Sequence, residues 1–199
     1  MKLPRVYPII DSAAWVERLA PSGVRLLQLR IKERPLAWVD AEIHQALSAC
    51  RVHGIQLIVN DYWQLALDAG CDFVHLGQGD LDTADLAVLR RATMRLGIST
   101  HDEAELERAL ALAPDYVALG PIYPTTLKVM PWAPQGLARI GQWKRRIGDL
   151  PLVAIGGVTL ARLPEVLRAG ADVAAVVSDI VTSADPRMQA RRWVDAAVA

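Results

Sequence analysis

The chain has 199 residues, of which 52% are hydrophobic, and its 22 basic and 22 acidic side chains cancel. A chain of that length builds one well-buried core and sits at the short end of the range for a closed eightfold α/β barrel, so one domain spanning 1–199 is expected. The balanced charge excludes the electrostatic footprint of a nucleic-acid or anionic-membrane binder, and no apolar run approaches the roughly 20 residues a membrane span needs.

Eight short apolar runs rich in β-branched residues recur along the chain, and the segments between them have helical spacing of their apolar residues. The runs are 6–10, 26–30, 56–60, 73–76, 95–99, 116–120, 152–156 and 173–177. Alternation of buried strand and amphipathic helix implies a parallel sheet covered by helices, and eight repeats favour an α/β fold of the (β/α)8 TIM-barrel type over a doubly wound open sheet. Acidic residues in the first turns of His101–Leu110 complement a helix dipole, and Pro114 ends that helix. Thr159 is expected to cap a helix running through Val166 and Leu167 to Gly170, where glycine suits a left-handed C-terminal turn. The loop 121–136 carries Pro121, Pro124, Pro131 and Pro134 and departs from the rhythm, which marks it as a lid candidate. Trp132 lies on that loop, whereas Trp15, Trp38, Trp63, Trp143 and Trp193 read as packing residues on helices.

Cys50 and Cys71 have no metal-ligand spacing, and Met1-Lys2-Leu3-Pro4-Arg5 lacks the apolar stretch of a signal peptide. Reduced, buried thiols in a cytoplasmic protein are therefore expected.

In a parallel α/β barrel the reacting groups sit at the carboxyl ends of the strands, and the unusual polar residues of this sequence gather there. Period-two alternation turns Gln28, Arg30 and Lys32 to one side of the second strand and Leu29 and Ile31 to the other. Alone, Arg30 and Lys32 would be solvated charges at a strand end. A glutamine in the same apolar strand argues for more, because a buried amide needs partners and a substrate heterocycle could supply them.

The third strand ends in Asn60-Asp61, and Asp80 follows the fourth. Asn60-Asp61 alone reads as a turn or helix cap, but two carboxylates at adjacent strand mouths suit Mg²⁺, which takes one or two carboxylates together with phosphate oxygens and water. A diphosphate beside Arg30 and Lys32 fits that site. His75 reads first as a buried, hydrogen-bonded strand histidine. Ser99 precedes a helix and alone would be an N-cap. Thr125, Thr126 and Lys128 put hydroxyls and another cation above the mouth. Gly156-Gly157 and Val177-Ser178 close the seventh and eighth strands, where such barrels often bind a phosphate.

Seven segments together resemble the thiamine phosphate synthase family: 27–32 (LQLRIK), 60–63 (NDYW), 74–80 (VHLGQGD), 97–101 (GISTH), 120–125 (GPIYPT), 154–158 (AIGGV) and 176–178 (VVS). They occur in the family's order, and the resemblance runs from Tyr7 to about Asp185. It implies a transferase of thiamine biosynthesis that joins hydroxymethylpyrimidine diphosphate to hydroxyethylthiazole phosphate, giving thiamine monophosphate and diphosphate by Mg²⁺-assisted dissociative substitution. By the same resemblance Gln28, Arg30, Lys32, Asn60, Ser99 and Lys128 would hold the pyrimidine diphosphate, with Gln28, Arg30, Lys32 and Lys128 acting in catalysis. Asp61 and Asp80 would carry Mg²⁺. Thr125 with Thr126 and Leu127, Gly157, and the Val177-Ser178 turn would hold the thiazole phosphate.

Two positions depart from the family pattern. Leu127 stands where the second threonine of Thr-x-Thr-Lys is common. Asp179 stands where alanine is common, and an anion there is unfavourable for phosphate unless its side chain points away or meets an arginine. Two other readings remain: a thiazole tautomer isomerase of similar fold, which needs no metal-diphosphate site, and a non-catalytic phosphate-binding regulatory barrel. The partners expected are small molecules, not nucleic acid or membrane, and a homo-oligomer is left open.

Overall fold

The structure, a computed structural model, describes residues 2–125 and 132–198. Eight parallel strands, β1 (Val6–Ile10), β2 (Leu26–Leu29), β3 (Gln56–Asn60), β4 (Phe73–Leu76), β5 (Arg95–Thr100), β6 (Tyr116–Leu119), β7 (Leu152–Ala154) and β8 (Val173–Val176), pair in sequence order. β8 returns to β1 in the register Val6 to Ala174, which closes the barrel. The principal helices between them include α1 (Ala14–Leu19), α2 (Leu36–His53), α3 (Trp63–Asp68), α4 (Gln78–Leu81), α5 (Leu86–Arg91), α6 (Glu103–Ala111), α7 (Gly136–Ile147), α8 (Leu163–Arg168), α9 (Ser178–Val181) and α10 (Pro186–Val198).

Strand alternation divides the core in two. Residues such as Leu27, Leu29, Val59, Val74, Ile98, Leu119 and Val176 point outward and join the inner faces of the helices in one apolar layer. The inward set, including Tyr7, Leu26, Ile58, Phe73, Tyr116, Val153 and Val173, fills the barrel. Burial on both faces is why the strands read as apolar runs rather than as alternating ones.

Gly97 has no side chain to point inward from β5, and Tyr116 occupies the space. A Cβ at Gly97 would lie 2.1 Å from the Tyr116 ring. Tyr116 meets Tyr7 and Phe73 edge-on at ring separations of 6.1 and 5.7 Å. Two phenols can occupy this interior only because their hydroxyls bond polar groups higher in the barrel.

Local signals place the helix ends with some differences. α6 starts at Glu103, because the Asp102 carboxylate accepts from the Glu105 amide at 2.9 Å. Ser99 and Thr100 belong to β5 and cap nothing, and neither Asn60 nor Asp61 caps α3. Thr159 makes no side-chain cap, and the amide of Leu160 is met instead by the carboxylate of Asp179 at 3.2 Å. Gly170 has φ +114°, the positive angle expected at that helix end.

Cys50 and Cys71 are free and buried, and burial pushes their thiols up to about 12 and about 11. Trp143 and Trp193 are buried core residues. Trp38 departs from the expected packing role, being 38% exposed beneath the Arg34 guanidinium. Trp15 packs on α1 against the outer apolar layer as expected, and it also borders the cavity and donates to Asp11 at 3.0 Å. Among the described residues no helix is long and apolar enough to cross a membrane.

Candidate active site

The carboxyl ends of the strands surround a cavity of about 1030 Å³. Gln28, Arg30, Lys32, Asn60, Asp61, Asp80, Ser99, Thr125, Gly157, Val177 and Ser178 all line it. Thr126, Leu127 and Lys128 lie outside the described residues.

On the β2–β4 side, β2 ends at Leu29, and the Arg30 amide bonds the Ile10 carbonyl at 2.8 Å, which carries the alternation of 28, 30 and 32 past the strand end. Lys32 forms an ion pair with Asp61. Asp61 has φ +68°, a left-handed conformation that aspartate tolerates better than most residues, and its amide bonds the His75 carbonyl at 3.0 Å. Asp80 lies in the first turn of α4, where its carboxylate accepts from the Gly77 amide at 2.9 Å. Burial raises the Asp80 carboxyl above the usual range, and the nearby Asp61 raises it further, against the opposing influence of the Gly77 amide and Lys32.

Two adjacent carboxylates with a lysine beside them form an oxygen donor set suited to a hard divalent cation. No cluster of three or more His, Cys, Asp or Glu occurs among the described residues, so the remaining ligands of such a cation would be water and substrate oxygens, as magnesium commonly has. The donor set therefore fits Mg²⁺ together with a phosphorylated substrate. Next to it the Asn60 side-chain nitrogen is buried and, among the described residues, has no hydrogen-bond partner, a costly state for an amide unless a ligand completes it.

A chain of hydrogen bonds crosses the barrel below these groups. The Gln28 amide donates to the Tyr7 hydroxyl at 2.8 Å, Tyr7 and Tyr116 share a bond of 3.0 Å, and Tyr116 meets His75 Nδ1 at 2.8 Å. His75 Nε2 meets Ser99 Oγ, also at 2.8 Å. His75 is the buried, hydrogen-bonded histidine the sequence indicated. Burial pushes it down to about 4, so the ring is neutral at pH 7. The same burial raises the ionisation of Tyr7 and Tyr116, and both remain phenols. Gln28 thus has Tyr7 as a protein partner, which the sequence did not reveal.

On the β6–β8 side close backbone packing is prominent. Gly156 and Gly157 have φ +96° and +64°, and a Cβ on Gly157 would lie 2.6 Å from the Pro124 carbonyl oxygen. These glycines let residues 121–124 pack directly on the β7 loop, where the Ile122 and Tyr123 amides donate to the Ile155 and Gly156 carbonyls, each at 2.9 Å. The other end of the proline-rich loop returns to the same place, with Gln135 N bonding Pro121 O at 2.7 Å. Its Trp132 stacks on His101 at 3.9 Å.

Arg162, which the sequence reading passed over, lies over the Tyr123 ring at 4.2 Å and donates to the Gly157 carbonyl at 2.6 Å. An arginine five residues after a Gly-Gly turn was the only available signal. Asp179 turns toward the helices, accepting from Trp193 Nε1 at 2.6 Å and Gln189 Nε2 at 2.8 Å as well as from Leu160. Its negative charge is thereby engaged by donors other than an arginine.

A closed parallel barrel with a pair of aspartates on one side of its mouth and a glycine-built pocket on the other has the organisation of a small-molecule enzyme. Comparison with known proteins makes this specific. A family model described as thiamine monophosphate synthase matches residues 6–180. The thiamine-phosphate synthase of Rhizobium etli is 60% identical over 196 residues, covering 98% of this chain and 96% of that protein. The thiamine-phosphate synthase of Cronobacter sakazakii is 48% identical over 192 residues, covering 96% and 91%. Among solved structures, thiamine phosphate pyrophosphorylase from Pyrococcus furiosus has a TM-score of 0.85 at 24% identity, covering 98% of this chain and 96% of that one. A 3-hexulose-6-phosphate synthase, with a TM-score of 0.69 at 17% identity and coverage of 96% and 99%, shares the fold alone. The chain belongs to the thiamine monophosphate synthase family, a family of transferases.

Proposed function

We propose that the protein joins hydroxymethylpyrimidine diphosphate to hydroxyethylthiazole phosphate, releasing diphosphate and forming thiamine monophosphate. The observation that carries this reading is the Lys32–Asp61–Asp80 cluster beside the unpartnered Asn60 amide, in the same cavity as a separate glycine-built pocket. Two anionic substrates can then lie side by side with their reacting ends toward each other.

Asp61 and Asp80 would hold Mg²⁺, which when bound would offset the negative charge of the diphosphate. Arg30 and Lys32 stabilise the leaving diphosphate as the bond between its oxygen and the pyrimidine methylene breaks, and Lys128 is proposed to add a third cation. The electron-rich aminopyrimidine carries the resulting positive charge. The thiazole nitrogen then supplies the electron pair of the new carbon–nitrogen bond, so no protein nucleophile is required. Gln28, Asn60 and Ser99 orient the pyrimidine. Thr125 with Thr126 and Leu127, Gly157, Val177 and Ser178 enclose the thiazole phosphate.

Incubation of purified protein with both substrates, with and without Mg²⁺, and chromatography of thiamine monophosphate tests the proposal. Metal-dependent product is expected, and Asp61→Ala should lower turnover by roughly a hundredfold or more with the circular dichroism spectrum unchanged. Undiminished turnover in Asp61→Ala would remove the metal assignment, and no product from the folded wild type would remove the function.

A further inference from the structure

We propose that Tyr7, Tyr116 and His75 are positioning residues that fix Gln28 as a hydrogen-bond acceptor and Ser99 as a donor toward the substrate, selecting an aminopyrimidine over its oxo counterpart. The inference rests on the function proposed above and assigns residues that do not themselves bear the diphosphate.

The Gln28 side-chain nitrogen donates to Tyr7 and also lies within reach of Tyr116, which leaves Oε1 as the Gln28 atom free for a ligand. Tyr7 has one hydroxyl proton, and among the described residues its only other hydrogen-bond partner is the Tyr116 hydroxyl. That proton therefore goes to Tyr116. Tyr116 in turn must give its own proton to His75 Nδ1. The neutral imidazole has a single N–H, which is then on Nε2 and is donated to Ser99 Oγ. With that lone pair engaged, the Ser99 hydroxyl hydrogen is free for the cavity that Ser99 lines.

The chain thus leaves a carbonyl oxygen at one end and a hydroxyl hydrogen at the other. An aminopyrimidine presents the complement, an amine that donates and a ring nitrogen that accepts. Replacing the amine by a carbonyl inverts both, setting oxygen against the Gln28 oxygen and a ring N–H against the Ser99 hydrogen. Mismatched buried polar groups are rejected more strongly than a missing contact, because each is left desolvated and unpaired. Gly97 belongs to the same device, since any larger residue there would expel the Tyr116 ring that bridges the two halves.

Nitrogen-15 NMR of the histidine side chains in ligand-free protein tests the direction of the chain. His75 should carry its proton on Nε2, and the opposite tautomer would overturn the proposal. Tyr116→Phe keeps the ring and removes the bridging hydroxyl. The preference in kcat/KM for the aminopyrimidine diphosphate over its oxo analogue should fall roughly tenfold, with KM for thiazole phosphate unchanged. Equal losses for both pyrimidines accompanied by a raised KM for thiazole phosphate would mean a merely structural role, and no change would remove the role entirely. Should Tyr116→Phe not fold, His75→Gln read on the same two pyrimidines decides the point, an unaltered preference overturning the proposal. A wild type that turns over neither pyrimidine overturns the proposed function and the ligand selection together, and the tautomer measurement still decides the hydrogen-bond direction by itself.

Discussion

The two sides of the barrel mouth are built from different materials. Between β2 and β5 the cavity is lined by side chains whose polar atoms are held mostly by other side chains, Lys32 by Asp61, Ser99 by His75 and Gln28 by Tyr7, with Asp80 held by the Gly77 backbone amide. Between β6 and β8 the surface is largely backbone, and the charged groups there serve it, Arg162 bonding the Gly157 carbonyl and Asp179 the Leu160 amide. The first side is specified by chemistry and tolerates substitutions of similar shape. The second is specified by the absence of side chains and fails on volume. The first should therefore lose activity before stability, and the second should lose both together.

The sharpest break of that comparison is Gly157→Ala. A Cβ there meets the Pro124 carbonyl oxygen and the Tyr123 side chain at a positive φ, so urea unfolding should show a loss of about 4 kcal/mol, with a raised KM for thiazole phosphate. Full retention of stability would mean that the 121–124 segment yields easily and that backbone packing does not define this side.

His75 offers a pH test of the opposite side. Its folded-state ionisation lies near 4, below the ordinary 6.5, because burial disfavours the charged ring. The unfolded chain takes up a proton as pH falls through about 6.5, while the folded protein does not until about 4. The neutral ring thus contributes stability that is fully present above pH 6.5 and is lost as pH falls toward 4, on the order of 3 kcal/mol. Urea midpoints measured across this window in magnesium-free buffer should fall with pH, and the slope should flatten in His75→Gln. An identical slope in that variant would assign it to other groups.

A smaller effect is expected at Asp179. Asp179→Ala leaves three donors, from Leu160, Gln189 and Trp193, without their acceptor, and should cost about 2 kcal/mol with a raised KM for thiazole phosphate. Asp179→Asn keeps one acceptor oxygen and should fall between that variant and the wild type. Least of all in stability is Asn60→Ala, which removes a buried amide nitrogen that has no partner among the described residues. Its melting temperature should be unchanged or slightly raised while kcat/KM for the pyrimidine substrate falls roughly tenfold. A destabilised Asn60→Ala would show that this amide serves the fold rather than a ligand.

Much of the fold and part of the site are legible in the sequence. All eight apolar runs are strands, because a strand buried on both faces leaves a run of β-branched residues that few other structures need. Differences are confined to run ends such as Arg30, Gly120, Ile155 and Val177, where the chain leaves the sheet toward the cavity. Gln28, Arg30 and Lys32 were readable as one face because alternation is local, and Asp61 and Asp80 because polar residues following apolar strands mark the barrel mouth. Thr159 holds the expected N-cap position but its side chain caps nothing, and local pattern could not show that Asp179, nineteen residues beyond Leu160, reaches the Leu160 amide.

The sequence by itself therefore determined the period of the elements, the face each strand residue occupies and the end of the barrel where the chemistry gathers. Only the tertiary structure decided who meets whom across the interior. Tyr7 and Tyr116 are 109 residues apart, and their bond exists because β8 pairs with β1 in one register and Gly97 leaves room for a ring. Periodicity records which way a side chain points. Its partner is set by closure, a property of all eight strands at once.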